Sequence, residues 1–149
     1  MKKLAVLLMS IGFFVSSCSS NDNNDNDNGG GKQDVSIVGK WELTKRGNIL
    51  NGTELLLPIT PEGGCSNDQI DFLENGNYKE IQYEYVNSKC KEYNNDGTWS
   101  KSNNILKNKD VLNNEFIYEI LRLDETTLRL KITNGNDNTI YALTEYTRK

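Results

Sequence analysis

The chain has 149 residues, with 17 Lys plus Arg, 21 Asp plus Glu, three cysteines and no histidine, for a net charge of −4. Without histidine, Ser-His-Asp and Cys-His catalysis and imidazole-ligated zinc are excluded, and three thiols cannot complete a four-thiolate zinc site. The acidic balance argues against nucleic acid as a partner, because an electrostatic binder needs a basic face against phosphate. No cofactor, metal or enzymatic role is therefore expected, and the length sets a prior of one folded domain.

Lys2 and Lys3 precede a largely apolar run from Leu4 to Val15, followed by Ser16-Ser17-Cys18. A charged start, a short apolar stretch and small residues before a cut site form a secretory signal, here residues 1–17. The run is shorter than the roughly 20 apolar residues of a membrane-spanning helix. Val15-Ser16-Ser17-Cys18 resembles the lipobox of bacterial lipoproteins. The resemblance implies that Cys18 becomes the acylated first residue of the mature chain. It would then carry a palmitate-type anchor to the bacterial outer membrane, on the periplasmic or cell-surface face. Each buried methylene of such an anchor contributes roughly 0.8 kcal/mol. Cleavage removes two lysines and no acid, leaving a net charge of −6, which favours solubility over anionic surfaces.

Residues 18–34 follow as a tether. Ser19 to Lys32 read SSNDNNDNDNGGGK, with no apolar side chain whose burial would offset the entropy of ordering. Asn24 and Val35 stand where an EF-hand calcium loop needs Asp and Glu, so no calcium site is expected there.

Residues 35–149 read as one all-β domain. The first strand, 38–45, opens on Gly39-Lys40-Trp41, where glycine lets the chain bend and the indole closes one end of the core. Residues 46–66 read as a long segment containing Leu55-Leu56-Leu57-Pro58-Ile59. It either lids the barrel end, with or without a short helix, or docks a protein partner. A strand at 69–74 comes next. Ile81, Tyr83 and Tyr85 then alternate with Glu80, Gln82 and Glu84, the period-two mark of a half-buried strand with its apolar set inward. Further strands are read at 97–101, 104–107, around Phe116, Tyr118 and Ile120, around Leu128, Leu130 and Ile132, and at 139–147. Asn75-Gly76, Asp96-Gly97 and Asn134-Gly135 read as hairpin turns, because these residues tolerate positive φ.

About eight strands joined mostly by short turns predict an antiparallel up-and-down meander. Closure into a barrel removes its exposed edges, with a two-sheet sandwich as the structural competitor. The outward Lys, Glu, Arg and Thr belong in water and not in lipid, which disfavours a membrane barrel.

Cys65 and Cys90, the thiols left after lipidation, read as a disulfide in an exported protein. Closing the loop between them is worth roughly 3.5 kcal/mol in the chain-entropy picture. The acids offer no glycosidase-type pair: Asp71 points away from Asp68 and Glu74 if they share a strand. Glu62-Gly63-Gly64-Cys65 lacks the helix and Lys-Ser or Lys-Thr of a phosphate loop, and Asn51-Gly52-Thr53 reads as an incidental glycosylation pattern.

Ile37-Val38-Gly39-Lys40-Trp41-Glu42-Leu43 resembles the first strand of lipocalin-like proteins. Cys65 before Asp68, then Phe72-Leu73-Glu74-Asn75-Gly76-Asn77-Tyr78, Cys90 and Gly97-Thr98-Trp99-Ser100 follow in an order similar to the small lipocalin-like domains of Bacteroidota lipoproteins, over residues 36–147. Tyr141 and Arg148 offer no clear match to the Thr-Asp-Tyr segment and to the C-terminal arginine, packed on the first-strand tryptophan, that other lipocalin groups carry. The resemblance implies a lipocalin-like barrel, whose interior is wide enough either for side chains or for one ligand. Trp41, Tyr83, Tyr85, Trp99, Phe116 and Leu130 are the candidate inward, ligand-facing residues. The leading expectation is a lipid-anchored, non-enzymatic module that binds a small hydrophobic molecule. The alternative is a cell-surface protein-interaction module with a filled barrel and a docking loop at 46–66.

Overall fold

The computed structural model describes residues 35–133 and 142–149. The leader, Cys18, the tether, the Asn134-Gly135 step and the start of the last expected strand lie outside the described residues. β1 (Gly39–Leu50) reverses at Asn51-Gly52 into β2 (Thr53–Pro58), and a single 3-10 turn at Glu62–Gly64 leads to β3 (Gln69–Phe72). β4 (Asn77–Val86), β5 (Lys89–Ser102), β6 (Ile105–Asp110), β7 (Glu115–Leu123), β8 (Thr127–Ile132) and β9 (Leu143–Arg148) follow.

Each of β3 to β8 pairs antiparallel with the next, and β1 closes the ring by pairing with both β9 and β3. Along one edge β1 pairs with β9, from Trp41↔Arg148 to Gly47↔Leu143. Its other edge is divided: Gly39 to Glu42 pair with β3, and Lys45 to Leu50 pair with β2. The result is an eight-strand ring with β2 added as a flange, nine strands among the described residues. The all-β antiparallel meander is as the alternation predicts, with one strand more.

That extra strand corrects the reading of 46–66 as a loop, lid or short helix. Three leucines in succession carry no period-two signal, so β2 is silent to pattern reading. The signal was in its turn: Asn51 (φ 50°) and Gly52 (φ 77°) both take positive φ, the geometry of a two-residue type I′ hairpin. Arg129 on β8 fastens the flange, donating to Glu54 of β2 at 2.7 Å and, through two nitrogens, to the buried Glu145 of β9.

Asp96-Gly97 is the second correction, since it lies inside β5 and not at a turn. Gly97 sits opposite Tyr78, and a Cβ there would fall 2.3 Å from the Lys109 carbonyl oxygen and 2.6 Å from the Tyr78 ring. The glycine therefore permits close approach of strand and ring rather than a reversal. The actual reversal is at Asn87 and Ser88, with φ 52° and 61°. Because β3 reaches only to Ile81 and β6 only from Gly97, the upper parts of β4 and β5 project as a two-stranded ribbon. The Cys65–Cys90 disulfide ties this ribbon back to the segment before β3, as the cysteine count predicts.

One end of the barrel is filled. Ile37, Trp41, Phe72, Leu106 and Leu128 are buried there, with Trp99 set edge-on to Phe72 at 5.4 Å between ring centres. Both indoles are satisfied, Trp41 donating to the Ile37 carbonyl at 2.7 Å and Trp99 to the Leu73 carbonyl at 3.0 Å. Arg148 does pack on Trp41, contrary to the sequence reading. Its guanidinium lies 4.1 Å from the ring centre and donates to the carbonyls of Ser36, Val38 and Glu125 at 2.6–2.9 Å. Gly39 makes this possible: it holds φ 128°, and a Cβ there would meet Arg148 Nη1 at 2.8 Å.

Losing three charge-assisted donors and the ring contact should cost Arg148→Ala about 2–4 kcal/mol. Arg148→Lys should recover only a minor part, since an ammonium cannot serve three carbonyls in one plane. Urea denaturation of both variants checks this ordering.

Candidate functional site

Above the filled layer the barrel holds a cavity of about 210 Å³, lined by Ile70, Tyr78, Glu80, Gln82, Asn108, Phe116, Tyr118, Leu130 and Tyr146. Ile70, Tyr78 and Leu130 also belong to the buried core, so they form its floor. Gln82 and Phe116 are exposed and mark its rim.

The lining follows from hairpin register. The β3–β4 turn, with Gly76 at φ 80°, pairs Phe72 with Tyr78 and Ile70 with Glu80. Cross-strand partners share a face, so Tyr78, Glu80 and Gln82 point inward with Phe72 and Ile70. Tyr83 and Tyr85 consequently project from the opposite face, which corrects their placement in the barrel interior. There they line a groove beside the disulfide, with the Tyr85 ring against Gly63. The alternation itself is real. The sign of the face is wrong, because both faces of β4 carry large side chains and the 59–68 segment covers the outer one. The pairing of Phe72 and Tyr78 across Asn75-Gly76 was the available signal. Of the other expected inward residues, Leu130 and Phe116 line the cavity, while Trp41 and Trp99 lie in the filled layer beneath it. Sequence reading missed Tyr78, Glu80, Gln82, Asn108, Tyr118 and Tyr146 as lining residues.

The interior is more polar than a simple apolar pocket. Burial pushes the Glu80 carboxyl above its ordinary value, and Asp68 adds to this, while the amide of Gln82 donates to it at 3.1 Å and opposes the rise. Arg46 reaches the same region, and its Nη2 donates to Asp68 at 2.7 Å. Burial, helped by the charge of Glu80, pushes the phenols of Tyr78 and Tyr118 up to about 12. Tyr146 is raised in the same direction by the same causes, together with Tyr118. Asn108 is 6% exposed, and its Oδ1 has no hydrogen-bond partner. An orphaned buried acceptor costs about 1–3 kcal/mol. Among the described residues no group of three or more Cys, Asp or Glu is placed to hold a metal ion.

A family model for the lipocalin-like domain matches residues 37–147, and the chain belongs to that family. Two solved structures share the fold. A lipocalin-like protein from Bacteroides uniformis is 12% identical with a TM-score of 0.51, over 76% of this chain and 97% of that one. An uncharacterized protein from Bacteroides eggerthii is 11% identical with a TM-score of 0.50, over 76% and 99%. No curated protein sequence matches the chain. A lipocalin-like barrel with an internal cavity is the architecture of a small-ligand binding module.

Two outcomes follow from this lining. Tyr78 and Tyr118 titrate above the ordinary 10.0, so their contribution to stability is complete below pH 10 and is lost as pH rises toward about 12. Tyr118→Phe should flatten that alkaline decline, as read by urea midpoints across the interval. Asn108→Leu should be neutral or stabilise the fold by about 1 kcal/mol, because it removes the orphaned acceptor at similar volume. A thermal melt of the variant checks the sign.

Proposed function

We propose that the chain is a lipid-anchored, non-enzymatic lipoprotein of the bacterial envelope that holds one small, mainly hydrophobic molecule in its barrel mouth. The observation that carries this is the cavity itself, set on a closed floor and walled by Ile70, Phe116, Leu130 and four aromatic rings in all. A barrel meant only as a rigid scaffold gains stability from filling that volume. The volume, roughly seven liquid waters, admits a compact ligand and is small for a long acyl chain or a sterol. The lipobox-like Val15-Ser16-Ser17-Cys18 and the apolar-free segment after it support the anchor, through Cys18, at the outer membrane. Absence of histidine supports a binding role over catalysis.

A second reading has its own observation. Leu50, Leu55 and Leu57 are 58%, 47% and 60% exposed along the β1–β2 flange, a surface suited to a protein partner. The filled floor fits that reading equally, but the cavity has no use in it.

Native mass spectrometry of the full-length chain, produced by export and released from detergent, tests the leading reading. A co-purifying small molecule that leaves on denaturation is expected. A bare protein mass, unchanged after incubation with a mixture of small metabolites, would overturn it and move attention to the flange.

A further inference from the structure

We infer that the mouth end of the barrel is a lipid-docking face. The Val111-Leu112 tip enters the surface of a neutral bilayer, and the flange leucines with Tyr85 and Val86 lie against it. This goes beyond the binding reading, and it draws on the anchored reading for what brings the domain to a membrane.

Exposed apolar side chains are gathered at one end of the molecule. An up-and-down ring places its turns alternately at its two ends, so the β1–β2, β4–β5 and β6–β7 turns lie opposite the plug of Trp41 and Arg148. Leu50, Leu55 and Leu57 flank the first of these turns, and Tyr85 and Val86 precede the second. Val111 and Leu112, 74% and 77% exposed, form the tip of the third, with Phe116 behind them on the cavity rim. No other large apolar side chain among the described residues is exposed to this degree. Turns at the plugged end carry Glu74-Asn75-Gly76, Asn103-Asn104 and Asp124-Glu125-Thr126 instead.

Their distribution selects the partner. The apolar groups sit on three separate projections, two of them with polar apexes at Asn51-Gly52 and Asn87-Ser88. A protein partner needs one matching surface of about 800 Å² a side, whereas a fluid phase closes around each projection by itself. Aromatic side chains with a polar tip, such as Tyr85, suit the headgroup level. In register, Lys91 stands opposite Glu84 and Lys109 opposite Glu115, so no excess of either sign selects an anionic lipid.

The β6–β7 tip is also prepared for leaving water. The Asp110 carboxylate accepts from the amides of Leu112 and Asn114 at 2.8 Å, and its carbonyl accepts from the Asn113 amide at 3.0 Å. Amides already paired within the turn meet an apolar phase without an unmade hydrogen bond. The described chain begins at Val35, at the plugged end, where Ile37 is buried beside Trp41. Residues 18–34, at roughly 3.3–3.6 Å each when extended, outreach β5, the longest strand at fourteen residues. An anchor at Cys18 therefore leaves the mouth free to meet the same bilayer.

The test places single tryptophans at the two ends of the full-length chain, produced by export and incorporated into phosphatidylcholine vesicles with or without brominated acyl chains. Flotation establishes vesicle association, and wild-type emission from Trp41 and Trp99 is subtracted. Emission gained from Leu112→Trp should fall at least twofold in brominated vesicles, as for a tip at the headgroup–acyl boundary, whereas that gained from Glu125→Trp should not change. Val86→Trp, on a second hairpin, is an independent probe with the same expectation should Leu112→Trp fail to fold in a thermal melt. Protein that floats while the mouth probes stay unquenched would overturn the docking face and leave the anchor intact. Equal quenching at Leu112 and Glu125 would overturn it too, since neither end would then be preferred. Emission that shifts to the blue without quenching would give the mouth to a second copy or another protein, against the proposal. Failure to float would overturn the docking face and the anchored reading together, leaving the cavity reading to the native mass.

Discussion

β1 satisfies three neighbours at once, and the barrel exists because it does. Its one edge is taken by β9, while the other is divided between β3 below and β2 above, with a bulge between Leu43 and Lys45 that lets the strand turn the corner. A ring closed in this way leaves no long unpaired edge at β1, the usual hazard of a meander. Closure is held at the bottom by Trp41 and Arg148, which stand opposite each other on the paired strands. The arginine converts a ring contact into a plug, since its three donors reach carbonyls on both sides of the barrel end.

The same sheet then does two different things along its length. Near the plug, large rings and leucines fill the lumen. One layer up, the inward positions change character to Glu80, Gln82 and Asn108, and the space between them is not filled. Desolvating these groups opposes folding, which is why the tyrosines and Glu80 all shift toward their neutral forms. The filled layer supplies stability that the polar layer gives up, a division seen wherever a binding site is built into a small domain.

The rim is secured separately. The ribbon of upper β4 and β5 has only one ladder, and a two-stranded hairpin alone is marginal in water. Cys65–Cys90 fixes it to the segment before β3, and Asp68 adds a hydrogen bond to the Tyr83 amide at 2.9 Å. Asp68 also anchors Arg46, so one carboxylate joins the ribbon, β1 and the approach to Glu80. A covalent tie at this point lets the mouth keep its shape without a hydrophobic core beneath the ribbon.

Local chemistry was readable directly from the residues. Period-two alternation marked β4, β7 and β8, Asn75-Gly76 marked a real hairpin, Gly39-Lys40-Trp41 marked the head of β1, and the pair Cys65 and Cys90 marked the disulfide. Each of these depends on residues a few positions apart, or on a count. What the tertiary structure alone decided is non-local. Which face of β4 turns inward is set by its pairing with Phe72 and Ile70, since a strand with large side chains on both faces carries no intrinsic sign. Gly97 resembles a turn residue until Tyr78 is placed opposite it, and Arg148 is only a charged terminus until β9 closes on β1. The orphaned acceptor of Asn108 and the desolvation of Glu80 arise only where six strands converge, because solvation is a property of the assembled space and not of any segment of the chain.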